Sequence, residues 1–233
     1  MNTGAELTTF ITGLNGGASI DATLLDVLVS TAKTVIEEER PWMTLRKTDS
    51  SLTITTADTW QTAKSLSGIT DFSRFYGDGV IKLFDGNNLI HYYRQVPFDR
   101  RLEYKDDNTT FVFDENAGTI YLNGTPPFAG TLYIPYVATS TEIDLTSNSA
   151  VWTVFPSRFL PLLGFYAVGI HKGAVDYDDI NARMLPENRA TMIALKNAME
   201  KWDDERQHSA IENSDPDDLY SYPRSGAINI HDI

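Results

Sequence analysis

Apolar positions along this chain change period twice. Near the N-terminus, residues 5–14 suggest one short helix closed by Asn15-Gly16-Gly17. Ser19 then reads as an N-cap with Asp21 in the first turn, where a negative charge suits the helix dipole. Leu24, Leu25, Val27, Leu28, Ala32, Val35 and Ile36 recur at helical spacing, so a helix is expected to run to about Arg40, where Pro41 stops it. From Trp42 the texture becomes short runs rich in Thr, Tyr, Ile, Val and Phe, separated by Gly, Asn and Asp. Strands are expected at Leu52–Thr56, Gly79–Phe84, Leu89–Gln95, Thr110–Phe113, Thr119–Leu122 and Thr131–Val137. The clearest hairpin is FVFD-ENAG-TIYL, in which Phe111 and Phe113 face Ile120 and Leu122. Pro135 marks its run as an edge strand or a bulge. With no helical crossover between runs, the unit reads as antiparallel.

After a polar link over 139–149 the helical period returns. A helix is expected from Ser157 or Arg158 to Gly173, with Pro161 in its first turn. Gly164 and Gly169 inside it each cost about 1 kcal/mol against alanine, which is tolerable where another helix approaches closely. Met192, Leu195, Met199 and Trp202 form the seam of a last helix. The two C-terminal helices are expected to pack as an antiparallel pair. Residues 207–233 keep Leu219, Tyr220, Tyr222, Pro223, Ile228 and Ile230 without a helical or strand period, which reads as an extended tail that either packs on its own body or docks on another subunit.

The expected class is therefore α+β: a helical bundle, made of N-terminal helices plus the C-terminal antiparallel pair, carrying an inserted antiparallel β meander or barrel-like unit and an extended C-terminal tail. The corresponding segments are 1–41, 42–138, 139–206 and 207–233.

Composition narrows the function. The 233 residues are 42% hydrophobic and 22% charged, ordinary for a globular protein, and include no cysteine. Thiol catalysis, disulfides and thiolate metal sites are excluded. The net charge of −13 is the wrong sign for tight nucleic-acid binding. The N-terminal stretch lacks a basic residue before Lys33, so no secretory signal is expected, and no apolar run is long enough for membrane insertion. The sequons at Asn108 and Asn123 read as chance.

No phosphate-binding glycine loop, GxSxG elbow or HExxH is present. The four histidines are not paired at ligand spacing, so no metal or other cofactor is expected. Asp176, Asp178 and Asp179 fit a turn or helix cap better than a calcium loop. Two local features invite a binding role. Tyr92, Tyr93, Arg94, Phe98, Arg100, Arg101 and Tyr104 interleave aromatic and basic side chains, a mixture suited to an interface between subunits or to stacking against a ligand. Glu37, Glu38 and Glu39 end a helix with the unfavourable sign and read as a solvated face, or as an acidic rim facing a partner or channel.

The element order, with PWMTLRKTDSSLTI near Trp42, IYLNGTPPFAGTLYIPYVA from Ile120, and FPSRFLPLLGFYAVG through AMEKWDDE, resembles the head-to-tail adaptor (connector) proteins of tailed bacteriophages. That resemblance implies a virion protein of the neck, made in the host cytoplasm. It would form a homo-oligomeric ring of about twelve copies built on one repeated heterologous interface. Its partners would be the portal protein above and a tail or next neck protein below, with the 219–230 residues reaching the portal or a neighbouring copy. DNA would pass the acidic lumen without specific binding during genome ejection. The alternative is a carbohydrate- or receptor-binding β module of a phage tail, using the aromatic and basic island. No motif supports a hydrolase.

Overall fold

Thr3 opens the first helix with a reciprocal cap: its hydroxyl accepts from the Glu6 N–H while the Glu6 carboxylate accepts from the Thr3 N–H. The computed structural model of the chain describes residues 1–77, 79–87 and 89–212. They divide into two units, one formed by Met1–Leu45 with Thr139 onward, the other by Arg46–Ala138.

The first unit holds five helices: α1 Gly4–Leu14, α2 Ala22–Glu39, α3 Leu160–His171, α4 Tyr177–Arg183 and α5 Pro186–Glu212. Asp21, rather than Ser19, caps α2, because its carboxylate accepts from both Thr23 and Leu24 N–H. A short 3-10 turn at Ser157–Phe159 leads into α3. Residues Leu162 through Gly169 of α3 are all buried, so this helix has no polar face and serves as the centre of the unit. It packs mainly on α1 and α2. Its two glycines permit this: a Cβ at Gly164 would lie 2.6 Å from the Phe10 ring, and one at Gly169 would lie 2.8 Å from Ile180 of α4. Asp176 caps α4 through the Asp179 N–H. The α5 seam buries Met192 and Met199, as its spacing indicates, and the helix continues to Glu212, past the point where the period fades.

The second unit is one curled nine-stranded sheet. Its strands are β1 Arg46–Asp49, β2 Thr53–Ile54, β3 Ala63–Ser65, β4 Phe72–Phe75, β5 Val80–Phe84, β6 Ile90–Val96, β7 Thr110–Asp114, β8 Thr119–Leu122 and β9 Gly130–Ala138. The order is β1-β9-β5-β6-β7-β8-β3, with β2 and β4 also on β9. The last strand is therefore the spine: β1 and β2 follow one of its edges, β4 and β5 the other. One face carries the core, including Ile54, Ile81, Leu83, Tyr93, Phe111, Ile120, Leu122, Leu132 and Ile134.

This architecture overturns the expectation of a helical bundle with an inserted antiparallel meander. In a meander neighbouring strands follow chain order, whereas here β9 reaches back to pair with β1, β2, β4 and β5. The sheet is not wholly antiparallel either. β6 and β7 run parallel, joined by a long crossover over 97–109 with one 3-10 turn at Phe98–Arg100. Nor do the last helices stand alone as a pair, since α3 is enclosed by α1 and α2. Pro135 is internal, not on an edge. Its carbonyl accepts from the Tyr76 N–H at 3.1 Å, so its nitrogen turns to the same side, at the break between β4 and β5 where the ladder is interrupted. The FVFD–TIYL hairpin forms in the expected register, Phe111 opposite Leu122 and Phe113 opposite Ile120.

Candidate functional site: the outward face of the sheet

Alternation along β5 sends Ile81 and Leu83 into the core and leaves Val80, Lys82 and Phe84 facing outward, half-buried. The register then assembles a surface from three strands. Lys82 sits between Tyr92 of β6 and Tyr133 of β9, Phe84 beside Ile90, and Val80 beside Arg94. The Lys82 ammonium lies 5.6 Å from the ring centroids of both Phe84 and Tyr133. These are cation–π distances, and the arrangement holds the charge over apolar surface. Ile90 and Tyr92 are 46% and 44% exposed, far above the usual burial of such side chains. Neither Lys82 nor Arg94 has a carboxylate within ion-pair distance among the described residues.

The crossover continues this surface. Phe98 and Leu102 are exposed. Phe98 lies over Tyr121 of β8, and Val112, the register partner of Tyr121, is fully buried. Arg101 is the clamp of the region: its guanidinium stands 3.8 Å from the Tyr121 ring centroid and 5.0 Å from that of Trp60, and it donates to the Trp60 carbonyl. Arg100 pairs with Glu103 at 2.7 Å and lies over Tyr104. Replacing Arg101 by alanine removes this stacking and the hydrogen bond, so unfolding of the sheet unit should become easier by about 1–2 kcal/mol. Lysine cannot reproduce a planar fork stacked on a ring, so Arg101→Lys should recover little of the loss. Thermal unfolding followed by circular dichroism, with the unsubstituted chain as reference, measures both.

The structure splits the island expected from sequence. Tyr92 and Arg94 share the outward face with Phe98 nearby in the chain, while Arg100, Arg101 and Tyr104 are engaged within the crossover. Tyr93 is a correction. It points the other way and is fully buried, with burial holding its hydroxyl well above the ordinary tyrosine range. A strand sends adjacent residues to opposite faces, so Tyr92 and Tyr93 could not both belong to one surface. Lys82, Phe84, Ile90 and Tyr133 were missed. The signal for them was present in the alternation of VIKLF against IHYYR, once the two strands are known to pair.

The acidic triplet is also corrected. Glu37 is buried, 5% exposed, not a rim. Its carboxylate accepts from the Ser140 N–H at 3.2 Å, the Ser140 hydroxyl, and the Trp152 indole N–H at 3.2 Å, with the buried Lys33 ammonium 3.8 Å away. Glu39 accepts from the Tyr166 hydroxyl at 2.8 Å and pairs with Lys196 at 3.0 Å. Burial first, and then the charge of Glu39, pushes the acidity of that phenol down. Asp203 repeats the pattern: fully buried, it accepts from the Met43 N–H at 2.6 Å and from Gln207, and meets Arg40.

Asn123 is fully buried and donates to the Thr110 hydroxyl, which closes that sequon to modification. His91 bonds the Asn108 carbonyl and stacks edge-on against Tyr93. Among the described residues no group of three or more His, Asp or Glu side chains is disposed to hold a metal ion, and no described helix is long and apolar enough to cross a membrane. The tail residues Leu219, Tyr220, Tyr222, Pro223, Ile228 and Ile230 lie outside the described residues.

No known family model and no curated protein matches this chain. Its chemistry must be read from the surface itself. Aromatic rings and two cations without an ion-pair partner among the described residues, set on a hydrogen-bonded sheet, form a surface suited to recognising another surface, with Tyr and Arg the residue types enriched where proteins meet.

Proposed function

We propose that this protein is a structural virion component, a head-to-tail adaptor that assembles as a homo-oligomeric ring beneath the portal, joins capsid to tail, and lets DNA pass. One observation carries the reading: each unit exposes its own apolar patch, and the two are unlike. The helical unit exposes Leu24 and Val27 on the first turns of α2, and the sheet unit exposes Ile90, Tyr92, Phe98 and Leu102. A closed ring is built from one interface whose two sides differ, so each copy must offer two distinct sticky patches. The charge distribution agrees with this use. Residues 46–138 contain nine Lys and Arg against eleven Asp and Glu, so most of the net charge of −13 belongs to the rest of the chain. A ring whose acidic parts border its channel would neither trap nor condense DNA.

Mass photometry of the purified chain, alone and mixed with a purified portal ring, tests the proposal. The expected result is addition of the chain to the portal in about the portal's own copy number. Val27→Asp should reduce that occupancy without unfolding the chain, because Val27 is 57% exposed. A chain that ignores the portal sinks the adaptor reading. The exposed Tyr92 and Phe98 rings favour one second reading, a carbohydrate- or receptor-binding module of the tail. Glycan binding that is lost on Tyr92→Ala, with no portal binding, would select it.

A further inference from the structure

We propose that copies of this chain join head to tail by strand addition, the edge of β3 in one copy pairing with the open edge of β6 in the next. Hydrogen-bond parity exposes the β6 edge. The Gln95 N–H donates to the Gly79 carbonyl, and at the other end the Leu89 carbonyl accepts from the Asp85 N–H, so the odd-numbered positions face β5. Ile90, Tyr92 and Arg94 therefore face the other way. Arg94 meets the Thr109 carbonyl there, where the ladder with β7 begins. Ile90 and Tyr92 lie before that point, and among the described residues no strand pairs with that side of them. Their N–H and C=O groups form an edge whose side chains are exposed. The β3 edge has the same form. The Leu66 N–H donates to the Gly118 carbonyl, in register with Lys64 opposite Ile120, so Lys64 faces β8 while Ala63 and Ser65 turn away from it. β3 ends the strand order, so their N–H and C=O groups have no neighbouring strand among the described residues. Antiparallel pairing sets Tyr92 opposite Ala63 of the next copy and Ile90 opposite its Ser65, which satisfies the backbone of both edges and places small side chains beside large ones. The faces also agree. Ala63, register partner of half-buried Tyr121, comes beside exposed Tyr92, and Lys64, register partner of the core residue Ile120, comes beside His91. Lys64 is already paired with Asp58 at 2.8 Å, so it brings no unpaired charge to the contact. The strand at the other end of the order, β1, carries Arg46, Lys47 and Asp49, charged side chains of the kind that blunt an edge. Because the two paired edges differ, the contact is heterologous and closes into a ring when the rotation per copy allows. It needs no portal and so goes beyond the adaptor reading.

Disulfide trapping tests it, since the chain has no cysteine of its own. Copies carrying Tyr92→Cys are mixed with copies carrying Ala63→Cys and oxidised, with and without a purified portal ring. The pairing puts these Cα atoms about 5.5 Å apart, within disulfide reach, so mass spectrometry should find the two variants linked to each other. Ser65→Cys in place of Ala63→Cys stands diagonally at about 7–8 Å and should link about tenfold less. Links mainly between two Tyr92→Cys copies, a preference for Ser65→Cys, or no link in either sample would overturn the proposal. Backbone pairing has its own readout. Ala63→Pro removes an N–H that β8 does not use, and should weaken self-association about fivefold, the effect of one backbone hydrogen bond, with the circular dichroism spectrum unchanged. Ala63→Val keeps the N–H and should associate like the original chain. Equal association of the two folded variants would reject the strand pairing, and if Ala63→Pro loses the fold the disulfide result decides alone. Portal occupancy of the cysteine variants, read by mass photometry, separates this inference from the adaptor reading. Links without occupancy sink the adaptor and keep the strand pairing; occupancy without links does the reverse.

Discussion

Glu37→Ala should destabilise the helical unit by about 3–5 kcal/mol, because it removes one partner of a buried charge pair and leaves the other. Lys33 is 3% exposed, and after the substitution its ammonium would keep only the Ser140 carbonyl and the exposed Glu142. The Trp152 indole N–H and the Ser140 N–H would lose their acceptor as well. The polar link over 139–149 is tied to α2 through this carboxylate, so hydrogen exchange at Ser140 should rise along with the loss of global stability. Two further variants separate charge from packing. Glu37→Gln keeps the shape and an acceptor oxygen, and should cost less. Lys33→Met combined with Glu37→Leu removes both charges and should recover much of what Glu37→Ala loses. Urea unfolding followed by circular dichroism measures all three. If Glu37→Ala proves neutral or stabilising, as the loss of a negative charge from a solvated helix end would be, the side chain is a rim residue after all and the buried tie is wrong.

Trp42→Ala is expected to cost about 3–5 kcal/mol, the range for truncating a fully buried large aromatic side chain. Trp42 is 1% exposed, meets Phe155 edge-on at 5.5 Å between ring centroids, and donates its indole N–H to the Ile36 carbonyl at 2.7 Å. That hydrogen bond satisfies one of the carbonyls that the end of α2 leaves without a helical partner. Arg40 stacks over the same ring and reaches Asp203 and Asp204. Removing the indole therefore opens a cavity against Phe155 and frees the C-terminal end of α2 at once. Trp42→Phe should retain roughly half of the stabilisation, since it keeps most of the packing and loses the donor. A melting temperature unchanged by Trp42→Ala would show that the α2 end is not held there.

The two substitutions probe places where local sequence and tertiary structure give different answers. Trp42 follows Pro41 and precedes strand-rich sequence, so by texture it opens the sheet. Its burial partners, Ile36 and Phe155, are brought to it from both sides of residues 46–138, and no local window contains Phe155. The Glu37–Glu39 run likewise looks unfavourable as a helix end. Its meaning changes when Ser140, Trp152, Tyr166 and Lys196, all more than a hundred residues away, supply donors and a cation. An acidic helix end is a local cost; its compensation comes from segments that no local window contains.

Periodicity alone was enough for the long helices and for six of the nine strands, because a 3.6-residue or two-residue apolar repeat is a property of the chain itself. It located the glycines of α3 as places of close approach, and the pairing of Phe111 and Phe113 with Leu122 and Ile120, because hairpin register follows from a short turn. It failed for β1, β3 and β4, whose sequences RKTD, AKS and FSRF are too short and too polar to show alternation. Strand order was beyond it. Whether β9 returns to pair with β1 and β5, or simply follows β8, depends on which apolar faces bury one another across tens of residues. The same pairing decides which side of Tyr92–Tyr93 is core and which is surface, and it alone sets Lys82 between Tyr92 and Tyr133. The sequence by itself determined the long helices, six of the nine strands, the acidity and the absence of cysteine chemistry. Only the tertiary structure decided which charges are buried ties and which aromatic residues form a face, because burial is a relation between distant segments and has no local signature.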